Sequence, residues 1–269
     1  RESHSREVRG YHPGMKGTRA ISRRILLGSL AATGLLPAIA RADMHGHRAG
    51  GRLVVVELFT SQGCNACPPA DAFMIELAHR PDILGLTYNV DYWDYLGWRD
   101  TLGSPDFTRR QQRYAAYRGD SRVYTPQMII NGRHHVIGNR KKKVLELIER
   151  EKREGDCRHV PMTLTEKGDM LRVRTAGAPD KLKGREATLW VVTALKEVEV
   201  EIARGENRGK KLRYCNVVRK IVPAAMWHGS PLDLALPRSE LFVDGAQTCA
   251  ALLQLDEHGP IIGAARLRM

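Results

Sequence analysis

The chain has 269 residues, 42% of them hydrophobic and 27% charged, a globular balance that excludes disordered, collagen-like and multi-span membrane classes. Five cysteines are too few for a disulfide-stapled scaffold, and their odd number leaves at least one outside any intramolecular pair. The formal charge of +13 is concentrated at the front: residues 1–42 carry a net +6. The remaining basic clusters, Arg109-Arg110 with Arg113 and Arg140-Lys141-Lys142-Lys143, read as solvated helix faces, so no nucleic-acid partner is expected.

The first 42 residues read as an export signal with an upstream extension, the signal itself starting near Met15. Ser22-Arg23-Arg24-Ile25-Leu26-Leu27 resembles the twin-arginine signature and opens an apolar run through Ala40 that is too short to span a bilayer. Small-residue cleavage sites follow at Ala38-Ile39-Ala40 and Ala40-Arg41-Ala42. The expected location is periplasmic or secreted, in an oxidising compartment, with a membrane contact only through an uncleaved leader. A Gly- and His-containing linker occupies residues 43–52.

Residues 53–59 form a β-branched, nearly continuous apolar run, the pattern of a central strand covered on both faces. Turn-forming residues 60–63 deliver the chain to Cys64-Asn65-Ala66-Cys67-Pro68-Pro69, and residues 70–80 carry an apolar helical face. Residues 83–90 supply a second strand, so the Cys-x-x-Cys pair lies at the strand-to-helix junction of a right-handed parallel unit. At a helix start, unpaired N–H groups and the helix dipole stabilise a thiolate. Cys64 is the expected attacking thiol and Cys67 the resolving one. A closed zinc site would need a second Cys or His pair, whereas Cys157, Cys215 and Cys249 stand singly without ligand spacing.

Residues 91–119 form a long connection in which Tyr92, Trp93, Tyr95 and Trp98 gather with Asp91, Asp94 and Asp100. This helical, aromatic insertion suits substrate recognition beside the cysteines or, equally, a segment packing its own aromatics. Residues 124–138 then read as a proline-initiated strand, an Asn131-Gly132 hairpin turn and a further strand, followed by a helix over 142–153.

The order strand, helix, strand, helix, strand, strand, helix, with Cys-x-x-Cys after the first strand and Thr125-Pro126 before the third, resembles the thioredoxin superfamily. A more specific resemblance is to an exported thioredoxin-like family catalogued as domain of unknown function 1223. It rests on Glu57 to Gly63 with Cys64, Cys67-Pro68-Pro69-Ala70-Asp71, Val90-Asp91-Tyr92-Trp93-Asp94, Gly97-Trp98, Arg110-Gln111, Tyr114 and Tyr124-Thr125-Pro126-Gln127. Asn207, Asn216 and Gly259 to Ala265 in the C-terminal half fit it as well.

The superfamily resemblance implies that Pro126 is cis, faces the cysteines and shapes a groove for substrate backbone. Thr125, Tyr92, Trp93 and Trp98 are then the candidate substrate-binding residues. Glu57 lies near where thioredoxins keep a buried carboxylate that moves protons for the inner thiol, although a partly exposed strand end explains it equally. Gly63 replaces the usual aromatic residue, which implies a more open site floor.

After residue 158 the pattern changes to short alternating runs at 162–165, 171–174, 187–194, 198–202, 211–221, 232–236 and 261–267. The expected architecture is therefore α/β: a thioredoxin-like domain over 53–157 followed by an all-β, sandwich-like domain over 158–269. Arg204, Glu206, Asn207 and Arg208 form a polar hairpin tip, either an exposed turn or a contact surface. The expected function is thiol-disulfide exchange with a thiol- or disulfide-containing protein, using a redox-active Cys64–Cys67 disulfide and no other cofactor. Two alternatives use the same fold: a soft-metal site of Cys64 and Cys67 with His134 or His135, and a non-catalytic interaction protein.

Overall fold

The structure is a computed structural model that describes residues 52–243 and 245–267. The predicted export signal and all of the linker except Arg52 lie outside the described residues. No described helix is long and apolar enough to cross a membrane.

The apolar run becomes β1 (Val54–Thr60), with every residue buried. It is followed by α1 (Pro68–Ala78), whose first two positions are prolines with helix-compatible φ and no N–H to leave unpaired, and by β2 (Ile83–Asn89), parallel to β1. A single 3-10 turn at Asp94–Leu96 precedes α2 (Pro105–Arg118). The Ser104 side chain caps α2 by accepting the Asp106 N–H, and Gly119 ends it at φ 72°. Strands β3 (Gln127–Ile130) and β4 (His134–Ile137) pair through the Asn131-Gly132 turn, where both φ values are positive, as a tight hairpin requires. Helix α3 (Lys141–Glu154) buries Val144 and Ile148 against the sheet and leaves its lysines outside.

The C-terminal half contributes β5 (Met162–Lys167), β6 (Met170–Thr175), β7 (Ala187–Glu201), β8 (Lys211–Trp227), β9 (Leu232–Pro237), the short α4 (Arg238–Leu241), β10 (Thr248–Leu255) and β11 (Ile261–Arg266). These strands do not form the separate sandwich that the alternating runs led us to expect. The large mixed sheet has the order β11-β10-β7-β8-β2-β1-β3-β4, so four strands from each half share one hydrogen-bonded layer. Only β5-β6-β9 make a second, small sheet. The seam is narrow: β8 meets β2 in parallel at Val217 and Thr87, reinforced by Thr87 Oγ1 donating to the Cys215 carbonyl at 2.8 Å and Asn216 Nδ2 to the Gly85 carbonyl at 2.9 Å. Alternation tells which face a residue takes but not which strand lies beside it, and β2 left as an edge would expose its ladder groups.

Among the described residues four apolar clusters fill the structure, the smallest joining Leu102 and Trp98 to Ile202, Leu212, Tyr214 and Val217 of the β7–β8 hairpin. Val54, Val56 and Leu58 pack with Phe73, Met74, Leu77 and Ile148 on the α1/α3 face. Val55 and Phe59 pack with Tyr88, Phe107, Tyr114 and Leu252 on the α2 face. Leu171, Val173, Leu189, Trp227 and Leu253 join the small sheet to the large one. Burying roughly 25 cal/mol per Å² of apolar surface, these layers supply the main stabilisation.

Candidate functional site

Cys64 and Cys67 are joined as a disulfide in the loop between β1 and α1. Cys67 is the N-cap of α1 with helical φ −80° and ψ −37°, and its carbonyl accepts the N–H groups of Ala70 and Asp71 at 2.8 and 3.1 Å. The helix dipole therefore favours negative charge at this pair. Cys64, the expected attacking thiol, is only 1% exposed and Cys67 0%, while Asn65 and Ala66 between them face solvent.

The cover comes from two distant segments. The backbone N–H of Gln62 donates to Asp100 Oδ2 at 2.8 Å, and the Gln62 side-chain oxygen accepts from Trp98 Nε1 at 2.8 Å. A Cβ on Gly63 would stand 3.1 Å from Trp93 Cβ, so the missing side chain lets Trp93 close over the loop rather than leaving the floor open. From the β7–β8 hairpin, Asn207 donates its side-chain amide to the carbonyls of Gln62 and Cys64 at 2.8 and 2.9 Å. Asn207 is 1% exposed, and Lys210 Nζ fixes its amide oxygen at 2.8 Å. The polar tip is thus docked on the cysteine loop, with Gly205 packed close to Trp98.

The Thr125-Pro126 bond is cis, and Pro126 is buried. A Cβ on Gly138 would meet Ala70 Cβ at 3.0 Å and Pro126 Cβ at 3.3 Å, which sets the proline loop beside the first turn of α1. Tyr92 donates to Gln111 Oε1 at 3.2 Å, and Gln111 Nε2 donates to the Tyr124 carbonyl and to Gln127 Oε1 at 2.8 and 2.9 Å. Burial pushes the Tyr92 phenol up to about 12, with Gln111 and Thr125 acting the other way. Tyr92 therefore braces the proline loop through Gln111, while Trp93 and Trp98 brace the cysteine loop; the Thr125 hydroxyl is buried with no hydrogen-bond partner among the described residues. Tyr95, on the intervening turn, is 79% exposed.

Glu57 lies on the wrong face for a proton relay to the cysteines. Strand alternation turns Leu58 toward α1 and Glu57 toward α2. There it accepts from Arg110 Nε at 2.9 Å and from the Tyr114 hydroxyl, and Gln254 of β10 joins both partners. Arg110 is buried, not part of a solvated basic face; burial opposes its charge most, but Glu57 with Tyr114 and Tyr88 together outweigh it and raise its pKa. Burial likewise raises the Tyr88 and Tyr114 phenols far above their ordinary value.

The acid on the cysteine side is Asp71. It is 3% exposed, Thr60 Oγ1 donates to its Oδ1 at 2.7 Å, and Oδ2 is buried with no hydrogen-bond partner among the described residues. Burial pushes its carboxyl up to about 8, against the Thr60 hydrogen bond and with help from Asp100. Sequence spacing held the signal for this residue, since positions 67 and 71 are one helical turn apart.

His134 and His135 do not join the cysteines. In the ladder, Gln127 stands beside Phe59 near the cysteine end, whereas His134 stands beside Ile130 and, through it, Val56. His134 Nε2 lies 3.1 Å from Glu151, and His135 Nε2 3.1 Å from Asp120. Among the described residues no three His, Cys, Asp or Glu side chains converge on a metal position. Cys157, Cys215 and Cys249 are unpaired; burial pushes the Cys215 and Cys249 thiols up to about 12.

Among curated proteins nothing matches the chain. Among solved structures, the X-ray crystal structure of protein AGR_C_4864 from Agrobacterium tumefaciens is 35% identical, covers 80% of this chain and 94% of its own, and superposes with a TM-score of 0.70. HBP35 of Porphyromonas gingivalis shares the fold at a TM-score of 0.53 and 14% identity, over 80% of this chain and 74% of that one. The family profile described as protein of unknown function, DUF1223, matches residues 55–254. With that match over most of its length and a 35% identical relative, the chain belongs to the DUF1223 family.

Proposed function

We propose that this protein is an exported thiol-disulfide oxidoreductase of thioredoxin-like type, acting on a thiol- or disulfide-containing protein partner. The observation that carries the reading is the Cys64–Cys67 disulfide at the N-cap of α1, beside the cis Pro126 loop. In the reducing direction, the Cys64 thiolate attacks one sulfur of the partner's disulfide, forming a mixed disulfide and releasing the other sulfur as a thiolate. Cys67 then loses its proton and attacks Cys64 Sγ, closing the intramolecular disulfide and releasing the second partner thiol. Two electrons pass from the dithiol to the partner, and oxidation of a partner dithiol is the reverse. The near-complete burial of both cysteines favours a second reading, a structural clasp that never exchanges.

The test is a pair of single variants. Cys67→Ser accumulates mixed disulfides with partner proteins, because the resolving thiol is gone, whereas Cys64→Ser accumulates few and loses insulin-reductase activity. Equal behaviour of the two variants, with no trapped partner, overturns the exchange reading and leaves the clasp. The proposed location rests on Arg23-Arg24: replacing both by lysine strands the precursor inside the cell, and normal export of that variant removes the twin-arginine assignment.

A further inference from the structure

Asp71 differs from the other buried acids near the site in having an unanswered oxygen. Glu57 is neutralised by Arg110 on the opposite face of the sheet, and Asp100 accepts three hydrogen bonds, from the N–H groups of Gln62 and Leu102 and from Asn89 Nδ2. A buried carboxylate with one bare oxygen is costly when ionised and is stable as the neutral acid. Native proteins keep few such groups without a reason.

Position supplies the reason. Cys67 has helical backbone angles, and its carbonyl accepts the Asp71 N–H, so helical geometry runs through both residues. Residues four apart on a helix stack on one face with Cβ atoms roughly 5–6 Å apart. Both side chains are buried, Cys67 at 0% and Asp71 at 3% exposure, so bulk water does not compete for a proton between them.

Resting on the dithiol reading above, we infer that Asp71 is the proton acceptor for Cys67 in the resolving step. The Cys67 S–H proton passes to Asp71 Oδ2, directly or across one water. The resulting thiolate attacks Cys64 Sγ, the Cys64–Cys67 bond forms, and the bond from Cys64 to the partner breaks. The partner leaves as a thiolate that takes its proton from solvent. When an incoming thiol reopens the disulfide, Asp71 returns the proton to Cys67.

The neighbours of Asp71 suit this exchange. Thr60 on β1 favours the anion and Asp100, ahead of α2, disfavours it. Tyr214 and Cys215 on β8 are both held neutral to well above neutral pH by burial. The acid therefore keeps a proton affinity close to that of a thiol, as efficient transfer in both directions demands.

The experiment uses the reduced mature protein carrying Cys157→Ser, which removes the exposed third thiol, and 5,5′-dithiobis(2-nitrobenzoate), whose thiol release then has two phases: attack by Cys64, then resolution by Cys67. Asp71→Asn keeps the first phase within about twofold of wild type, slows the second at least tenfold at pH 7, and flattens its pH profile. Thr60→Val, which removes the donor favouring the anion, moves the midpoint of that profile to higher pH. Infrared spectra supply a measurement independent of either variant's activity: the Asp71 carboxylic acid band of the oxidised protein at pH 7 shifts on reduction with dithiothreitol. An unchanged second phase in Asp71→Asn, or a band that ignores reduction, overturns the inference while the dithiol reading stands. A wild-type protein that shows no second phase overturns both.

Discussion

Arg110 carries its charge into the interior because Glu57 and the rings of Tyr88, Tyr114 and Trp190 meet it there, with its guanidinium carbon 5.0 Å from the Tyr114 ring centre. Arg110→Met leaves Glu57 buried without its counter-charge and is expected to cost about 3–5 kcal/mol. Adding Glu57→Gln recovers a large part of that loss, and urea titration of the single and double variants measures both. Asp71 gives a pH signature of opposite origin. Its folded pKa of about 8 lies above the value of 3.8 for a free side chain, so the folded state binds the proton more tightly than the unfolded one. Its contribution is complete below about pH 4, and as pH rises from there to about 8 stability falls, with a slope of up to about 1.4 kcal/mol per unit. Asp71→Asn removes that slope in denaturation midpoints measured across the window. The cysteines and Pro126 were legible in the sequence because their chemistry is local. Arg110 was not, since the carboxylate that draws it inside lies 53 positions away.

The β7–β8 hairpin is the element that most changes the picture of the site. β10 pairs β7 only as far as Ala194, so the strands beyond continue as a two-stranded arm whose exposed cross-strand pairs, such as Lys211 with Glu199, contribute little. The arm packs through Ile202, Leu212 and Tyr214 against Leu102 and Trp98, and its tip is tied by the two hydrogen bonds from Asn207 to the cysteine loop. At about 1 kcal/mol each, their loss in Asn207→Ala is expected to speed reduction of the disulfide by dithiothreitol roughly 10- to 30-fold. Unchanged kinetics would mean that the tip does not stand in the reductant's path. The sequence marks Asn207 as polar and hairpin-borne, but a turn composition does not say what the turn touches. β10 escapes pattern reading for a different reason. Thr248–Leu255 is rich in Ala and Leu, lacks β-branched residues after Thr248, and is buried almost throughout, so it offers neither alternation nor strand propensity.

At the scale of the molecule, the expected boundary at residues 157 and 158 separates two halves of one sheet. The N-terminal elements were readable because a parallel unit and a hairpin have short-range signatures, whereas the joining of β8 to β2 links residues 130 positions apart. A second tie supports the seam from the other side. The Asn131 carbonyl accepts the Ile261 N–H at 2.9 Å, and a Cβ on Gly132 would stand 2.4 Å from the Gly259 carbonyl oxygen. A fragment ending at residue 157 would expose the β2 edge and the faces of Tyr88, Leu86 and Phe59 that pack against Val192, Val218 and Leu252. It is expected to be insoluble or loosely packed, with slow amide exchange lost from β1 and β2. A soluble fragment with native-like exchange protection would show that the N-terminal half is an independent domain.

The seam also imposes a schedule on synthesis. Ribosomes add about 5–20 residues per second, and β8 is made well over a hundred residues after β2. For something on the order of ten seconds, each nascent chain holds β2 without the strand that later closes its edge. During that interval the cysteine loop lacks the Asn207 amide that later ties the Gln62 and Cys64 carbonyls.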